Sequence, residues 1–261
     1  MGFERGAEFE IGGTLVTAGK TEKCTAVVVA AGQGRRMGTK VQKQFLEIGR
    51  GKPVLYYSLA CFQESFIIDD IILVTSLEGM EFCRKEIVEK YGLTKVRKIV
   101  PGGKERRDSV NEGLKHCNNT DYVFIHDGAR PFVTKEILMR AMEAVRQYQA
   151  CVVGVPAKDT VKLLDEDGFA AKTPDRKRTW LVQTPQCFSY PLICKAQEMA
   201  GDKKSEAFTD DAMVVEMSGL AKVKMVMGDY TNLKITTPED LNMAEIILRE
   251  KMKIMVDTDE Q

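Results

Sequence analysis

Arg35, Arg36, Lys40 and Lys43 crowd a short span that also holds Gly32, Gly34 and Gly38. Glycines at a turn let backbone N–H groups approach an anion, and four cations beside them suit a triphosphate. A tight strand-to-helix turn with a solvated basic face explains the same pattern, and is the preferred account of Lys40. The loop is not a Walker A motif, because Gly-Lys-Ser/Thr is absent. Nor is it a complete dinucleotide fingerprint, because Met37 stands where a third Gly is required.

Three further segments carry candidate chemistry. His126-Asp-Gly-Ala-Arg-Pro131 follows an apolar run, which puts Asp127 at the carboxyl end of a strand, where ligands of open α/β sheets bind. A lone carboxylate there suits Mg²⁺, which takes one or two carboxylates and fills its shell with phosphate oxygens. The alternative is a turn-forming Asp held by Arg130, with His126 structural. Pro101-Gly-Gly-Lys-Glu-Arg-Arg-Asp-Ser109 leads into a helix expected to start near Asp108 or Ser109, as a base- or ribose-contacting loop or as a simple connector. In Asn232-Leu-Lys-Ile-Thr236, Lys234 sits in an apolar run read as a strand, and points at an anion pocket or into water.

The chain shows no GxSxG elbow, no HExxH and no evident Cys–His pair. A phosphate monoester needs no strong base to act as nucleophile, because its second pKa is near 6. Positioning and charge neutralisation by Lys, Arg and Mg²⁺ would then be sufficient catalysis.

Strands must present these groups. Short runs rich in β-branched residues lie at Cys24–Ala30, Ile71–Thr75, Val96–Val100, Tyr122–Ile125, Cys151–Val155, Val223–Met227 and Leu233–Thr236. Helical periodicity marks 53–62, 78–90, 108–117 and 134–148, and a last helix opens at Thr237-Pro-Glu-Asp240. The alternation predicts an α/β fold with a mostly parallel sheet covered on both faces. Residues 157–172, two extended arms about an Asp-Gly turn, read as a β-hairpin, either a dimer contact or folded on its own domain. Residues 1–22 read as a loose extension.

The 261 residues are 44% hydrophobic and 29% charged, and 38 basic side chains balance 38 acidic ones. That balance gives no general footprint for nucleic acid. No run nears the roughly 20 apolar residues of a membrane span, and the N-terminus has no apolar signal core. Seven Cys, an odd number without CxxC, read as reduced thiols of a cytoplasmic protein.

Together the motifs resemble a known family. Ala30-Ala-Gly-x-Gly34-x-Arg36-Met with a downstream Lys43-Gln, His126-Asp-Gly-Ala-Arg-Pro131, Val155-Pro-Ala-Lys-Asp-Thr-Val-Lys162, Gln183-Thr-Pro-Gln186, Thr209-Asp-Asp-Ala212 and Asn232–Asp240 are similar to the 2-C-methyl-D-erythritol 4-phosphate cytidylyltransferases, in order from about Cys24 to Arg249. The resemblance implies a Rossmann-like nucleotidyltransferase fold over 23–252, a projecting β-hairpin dimerisation arm at about 157–175, and a tail over 253–261. It implies CTP on Ala30, Ala31, Gly32, Gly34, Gly103, Ser109, Asp127 and Gly128, with Ser109 helping to select cytosine. It makes Arg36, Lys43, Lys234 and Arg176 catalytic, and Asp127 the holder of Mg²⁺. Thr160, Arg176, Thr209 and Lys234 would bind a polyol phosphate, Thr160 and Arg176 reaching the site of a second copy in a homodimer. Gln42 and Lys104 depart from the family's common Pro and acidic residue, and no acidic substrate contact is assigned to Asp229–Asn232.

Ribitol 5-phosphate cytidylyltransferase is the alternative enzyme. A non-catalytic nucleotide-binding module would not need Arg36, Lys43, Asp127 and Lys234 together, and an NAD-dependent dehydrogenase would need the full glycine fingerprint.

Overall fold

In the computed structural model the described residues are 8–11, 14–17, 22–32, 42–201 and 208–259, with backbone alone for 8–17 and 252–259. Seven strands form the main sheet: β1 (Cys24–Ala30), β2 (Asp70–Thr75), β3 (Val96–Pro101), β4 (Tyr122–Asp127), β5 (Ala150–Pro156), β6 (Trp180–Ser189) and β7 (Lys224–Met227). Their order across the sheet is β7-β5-β6-β4-β1-β2-β3. Every pairing is parallel except the two made by β6, which runs antiparallel to both β4 and β5.

The strands are apolar on both sides because helices cover both faces. On β1, Ala26 and Val28 enter one core and Val27 the other. The first core lies under α1 (Val54–Glu64) and α3 (Lys135–Tyr148). The second lies under α2 (Arg106–Lys115), α4 (Tyr190–Ala200) and α5 (Asp211–Ser218). A smaller cluster joins Ile48, Val54, Phe132 and Ile235 to Ala244, Ile247 and Leu248 of α6 (Pro238–Asp259).

The expected α/β architecture is therefore present, with several corrections. Strand β6 was not expected: it contains Pro185, a residue that normally argues against a central strand, and the ladder to β5 accommodates it with a register shift between Val182 and Gln186. Leu233–Thr236 is not a strand but a loop past the sheet's end, because its only ladder-like bond is Ile235 N–H to Ala129 O at 2.9 Å. Helix α2 starts earlier than expected, at Arg106, because the Glu105 N–H is taken by Asp108 Oδ2 at 3.0 Å. Residues 78–90 form a short helix, Met80–Phe82, continuing as a π-helix over Cys83–Glu89. Helix α6 continues through most of the supposed tail, since no Gly or Pro interrupts it after Pro238.

The extension holds a short antiparallel pair, Glu8–Ile11 with Thr14–Thr17. Another pair joins Leu163–Leu164 to Ala170–Lys172, with the turn closed by Phe169 N–H on Asp165 Oδ1 at 2.8 Å. Leu163, Leu164 and Phe169 are exposed there.

Candidate active site

Asp127, the last residue of β4, gathers the charges of the site. Lys234 Nζ lies 2.7 Å from its Oδ2, Arg106 Nε 3.2 Å from its Oδ1, and Arg130 Nε 3.8 Å from Oδ2. Burial would raise the Asp127 pKa, but Lys234, Arg106 and Arg130 outweigh it and hold the carboxyl far below the usual carboxylate range. A carboxylate held ionised by three cations around it can take a divalent ion or lend its cations to a phosphate.

Each cation arrives from a different element. Lys234 rides on the loop after β7, which is tied at both ends. At one end the buried Asn232 gives its side-chain amide to Thr184 O at 2.9 Å. At the other, Asp240 Oδ2 accepts from the backbone N–H of Thr236 and Thr237 at 2.7 and 2.9 Å. Arg130 is fixed by Nη1 on Asn232 O at 2.8 Å. Arg106 opens α2 and is shared, with Nη2 2.8 Å from Asp211 Oδ2. Burial acts against the Arg106 charge, and Asp211 and Asp127 more than restore it; burial pushes the Asp211 carboxyl up, and Arg106 offsets part of that.

His126 is structural, as expected. It is fully buried between Arg130 O at 3.1 Å and Thr184 Oγ1 at 3.0 Å, in a T-shaped contact with the Phe62 ring. Burial pushes its pKa down to about 4, so it stays neutral at ordinary pH.

The loop after β1 meets this cluster through packing. Gly128 N–H bonds Val29 O at 2.8 Å, and a Cβ on Gly128 would lie 3.1 Å from Ala30 Cβ and 2.9 Å from Leu55. The buried Gln44 donates to Ala30 O at 2.6 Å and Gly32 O at 3.2 Å, so residues 30–32 are held by a side chain. Lys43, next to it, opens a 3-10 turn, Lys43–Phe45, and is half-buried. On the other side, a Cβ on Gly102 would fall 2.5 Å from Ala31 Cβ and 2.7 Å from Ser109 Oγ, so only Gly lets these two loops touch. Ser109 Oγ accepts from Gly103 N–H at 3.1 Å and donates to Glu105 O at 3.1 Å, so it shapes this loop.

Thus Asp127, Gly128 and Lys234 come together, with Ala30, Ala31, Gly32, Gly103 and Ser109 along the adjoining loops. Gly34 and Arg36 lie outside the described residues. Thr160 and Arg176 are exposed near the hairpin, Arg176 Nη1 reaching Lys158 O at 3.5 Å. Thr209 is exposed, two residues before Asp211. Asp229 Oδ1 closes its own turn on Thr231 N–H at 2.7 Å. Local sequence does not single out Arg106 or Asp211, because no spacing links two residues 105 positions apart. Gln44 has no sequence signal beyond its place after Lys43.

A carboxylate at the carboxyl end of a central strand, ringed by cations and flanked by the loops that carry Gly32 and Gly102-Gly103, is an arrangement suited to an α/β transferase of the nucleotidyltransferase kind. Comparison with known proteins narrows this. The family model for 2-C-methyl-D-erythritol 4-phosphate cytidylyltransferase matches residues 24–250, and the chain belongs to that family. A relative of that name from Caldanaerobacter subterraneus is 51% identical over 229 residues, 87% of this chain and 99% of its own length. One from Geobacter metallireducens is 47% identical over 231 residues, 87% of this chain and 98% of its own. The crystal structure of 4-diphosphocytidyl-2C-methyl-D-erythritol synthase from Anaerococcus prevotii is 36% identical, covers 87% of this chain and 96% of its own, and superposes with a TM-score of 0.76.

Among the described residues no group of three or more His, Cys, Asp or Glu forms a metal cage. The donor set fits Mg²⁺ in the form that takes one protein carboxylate, Asp127, and completes its shell with phosphate oxygens and water. No helix among the described residues is long and apolar enough to cross a membrane.

Proposed function

We infer that the chain joins CTP to 2-C-methyl-D-erythritol 4-phosphate, giving 4-diphosphocytidyl-2-C-methyl-D-erythritol and pyrophosphate in isoprenoid biosynthesis. The observation that carries the site assignment is the Asp127 carboxylate ringed by Lys234, Arg106 and Arg130 beside the glycine loop. In the reaction, a phosphate oxygen of the polyol phosphate attacks the CTP α-phosphorus in line. A new P–O bond forms as the bond to the bridging oxygen of pyrophosphate breaks, and no side chain need take a proton from the nucleophile.

The backbone of Ala30, Ala31, Gly32 and Gly34 would cradle the nucleotide, with Gly103, Ser109 and Gly128 shaping its pocket. Arg36 and Lys43 would meet the charge that grows on the α-phosphate, and Lys234 would orient the incoming phosphate. Mg²⁺, held by Asp127, would neutralise the nucleotide phosphates. The hairpin is proposed as the arm of a homodimer, supported by its exposed Leu163, Leu164 and Phe169. Thr160 and Arg176 beside it would then reach the polyol phosphate in the second copy's site, and Thr209 would contact it from its own chain. A cytoplasmic setting, with no nucleic-acid or membrane partner, completes the proposal.

The test is pyrophosphate release with CTP and Mg²⁺, offering methylerythritol phosphate and ribitol phosphate in parallel. Release with the first alone is expected. Release with ribitol phosphate alone would overturn the substrate, and CTP binding without release from either would make the chain a non-catalytic module.

A further inference from the structure

Asp211 has no place in the mechanism above, yet it is a buried carboxylate at the head of α5, with 2% of its side chain exposed. A hidden carboxylate is costly without a charged partner. Its partner is Arg106, which keeps 29% of its side chain exposed. The accessible charge is therefore positive, and the charge that orients it is hidden. This is the arrangement that presents a cation to an incoming anion.

The mount is rigid. Gln186 on β6 accepts from the backbone N–H of both Asp211 and Ala212 at 2.9 Å through Oε1. Its Nε2 donates to Asp210 Oδ2 at 3.1 Å. A strand side chain thus clamps the first turn of α5 and sets where Asp211 stands relative to Asp127. The guanidinium spans the two acids, Nε on Asp127 and Nη2 on Asp211. A bound Arg that uses two nitrogens this way has its plane fixed, and among the described residues Nη1 takes no hydrogen-bond partner. With Asp127 given over to a ligand, the Asp211 bond would still restrain Arg106.

We propose that Asp211 is a positioning residue for the nucleotide: clamped by Gln186, it holds Arg106 beside Asp127 so that this guanidinium meets the triphosphate of CTP. The proposal rests on the reading of this cluster as the CTP site.

The test is the Kd for CTP, measured by calorimetry with Mg²⁺ and without the second substrate. Asp211→Asn keeps the size of the side chain and removes its charge. Losing one charge-assisted restraint is expected to weaken CTP on the order of tenfold. The KM for methylerythritol phosphate is expected to hold, and the melting temperature to report a folded chain. Arg106→Gln is expected to weaken CTP at least as much, and the double variant no more than Arg106→Gln alone, because both changes remove one interaction. Wild-type CTP affinity in folded Asp211→Asn, or losses that simply add, would overturn the proposal. Should Asp211→Asn fail to fold, Arg106→Gln decides: undiminished affinity leaves Asp211 nothing to position and overturns the idea, whereas weakened affinity supports it. These results differ from failure of the functional reading, in which the wild type itself neither binds CTP nor releases pyrophosphate.

Discussion

Lys234 Nζ stands 2.7 Å from Asp127 Oδ2, joining a loop that follows the edge strand to the end of a central one. The lysine keeps 35% of its side chain exposed while the carboxylate keeps 10%, so the cation forms the accessible side of the pair. Lys234→Ala is expected to lower kcat by on the order of 10²-fold or more, because a preorganised charge at a reacting phosphate is lost. Lys234→Arg is expected to recover part of it. Steady-state kinetics with both substrates checks this, and a kcat near wild type in Lys234→Ala would remove the residue from the mechanism.

Lys43 makes a different demand. If it meets charge that appears only as the α-phosphorus is attacked, Lys43→Ala lowers turnover far more than it weakens CTP. Comparing kcat with a directly measured Kd separates the two effects. Equal losses in both would recast Lys43 as a ground-state contact.

Gln44 predicts a structural effect with a functional readout. Its amide is the donor for Ala30 O and Gly32 O, so Gln44→Leu takes this donor from the buried Ala30 carbonyl and frees the exposed Gly32. The expected cost is about 1–3 kcal/mol in stability. A higher KM for CTP should accompany it, because the cradle loses its tether. Urea unfolding and CTP titration on the same sample measure both, and an unaltered KM would uncouple the tether from nucleotide binding.

The neutral His126 gives a pH dependence. Its pKa falls from 6.5 to about 4 on folding, chiefly through burial. Between those values the unfolded chain binds a proton that the folded chain excludes. The contribution is therefore fully present above pH 6.5 and is lost as pH falls toward about 4, amounting to about 3 kcal/mol in all. Calorimetric melting at pH 7, 6 and 5 should show the decline, and His126→Gln should flatten it whatever its absolute stability. An unchanged slope in that variant would assign the dependence to other groups.

The arm can be tested without touching the charge cluster. Leu164→Asp with Phe169→Asp places charges on the exposed hairpin residues. Sedimentation should show a shift from dimer toward monomer, with activity falling as the arm disengages. A monomeric wild type would end the proposal.

Much of this was legible in local sequence, and the rest fails for definable reasons. The β-branched run at Cys24–Ala30 and the helical periodicity of 134–148 needed no tertiary information, and α3 indeed buries Ile137, Leu138, Ala141 and Val145. Leu233 and Ile235 alternate as in a strand, yet Ile235 is buried against Ile48 and Phe132 rather than in a ladder. Strand β6 was hidden by Pro185, whose cost is met by an irregular ladder that only the neighbouring strands reveal. Asp127 was legible because its position at a strand end is local. Its salt-bridged partner Arg106, and Asp211 behind that, belong to different helices, and only the packing of those helices across the sheet makes them one unit.

Strand β6 also has a consequence for assembly. It is the wedge between β4 and β5, and nothing else in the ladder order joins those two. A chain that has emerged only through Pro156 carries one four-stranded sheet, β4-β1-β2-β3, with an unsatisfied β4 edge that includes the buried Phe124, while β5, with its buried Val153, still lacks both neighbours, β6 and β7. The exposed hairpin lies in the sequence between β5 and β6. A nick at Asp165–Gly168 therefore falls outside both cores, and it leaves the wedge on the C-terminal fragment. The two fragments should reassociate by strand donation, the late piece zipping into the slot of the early one.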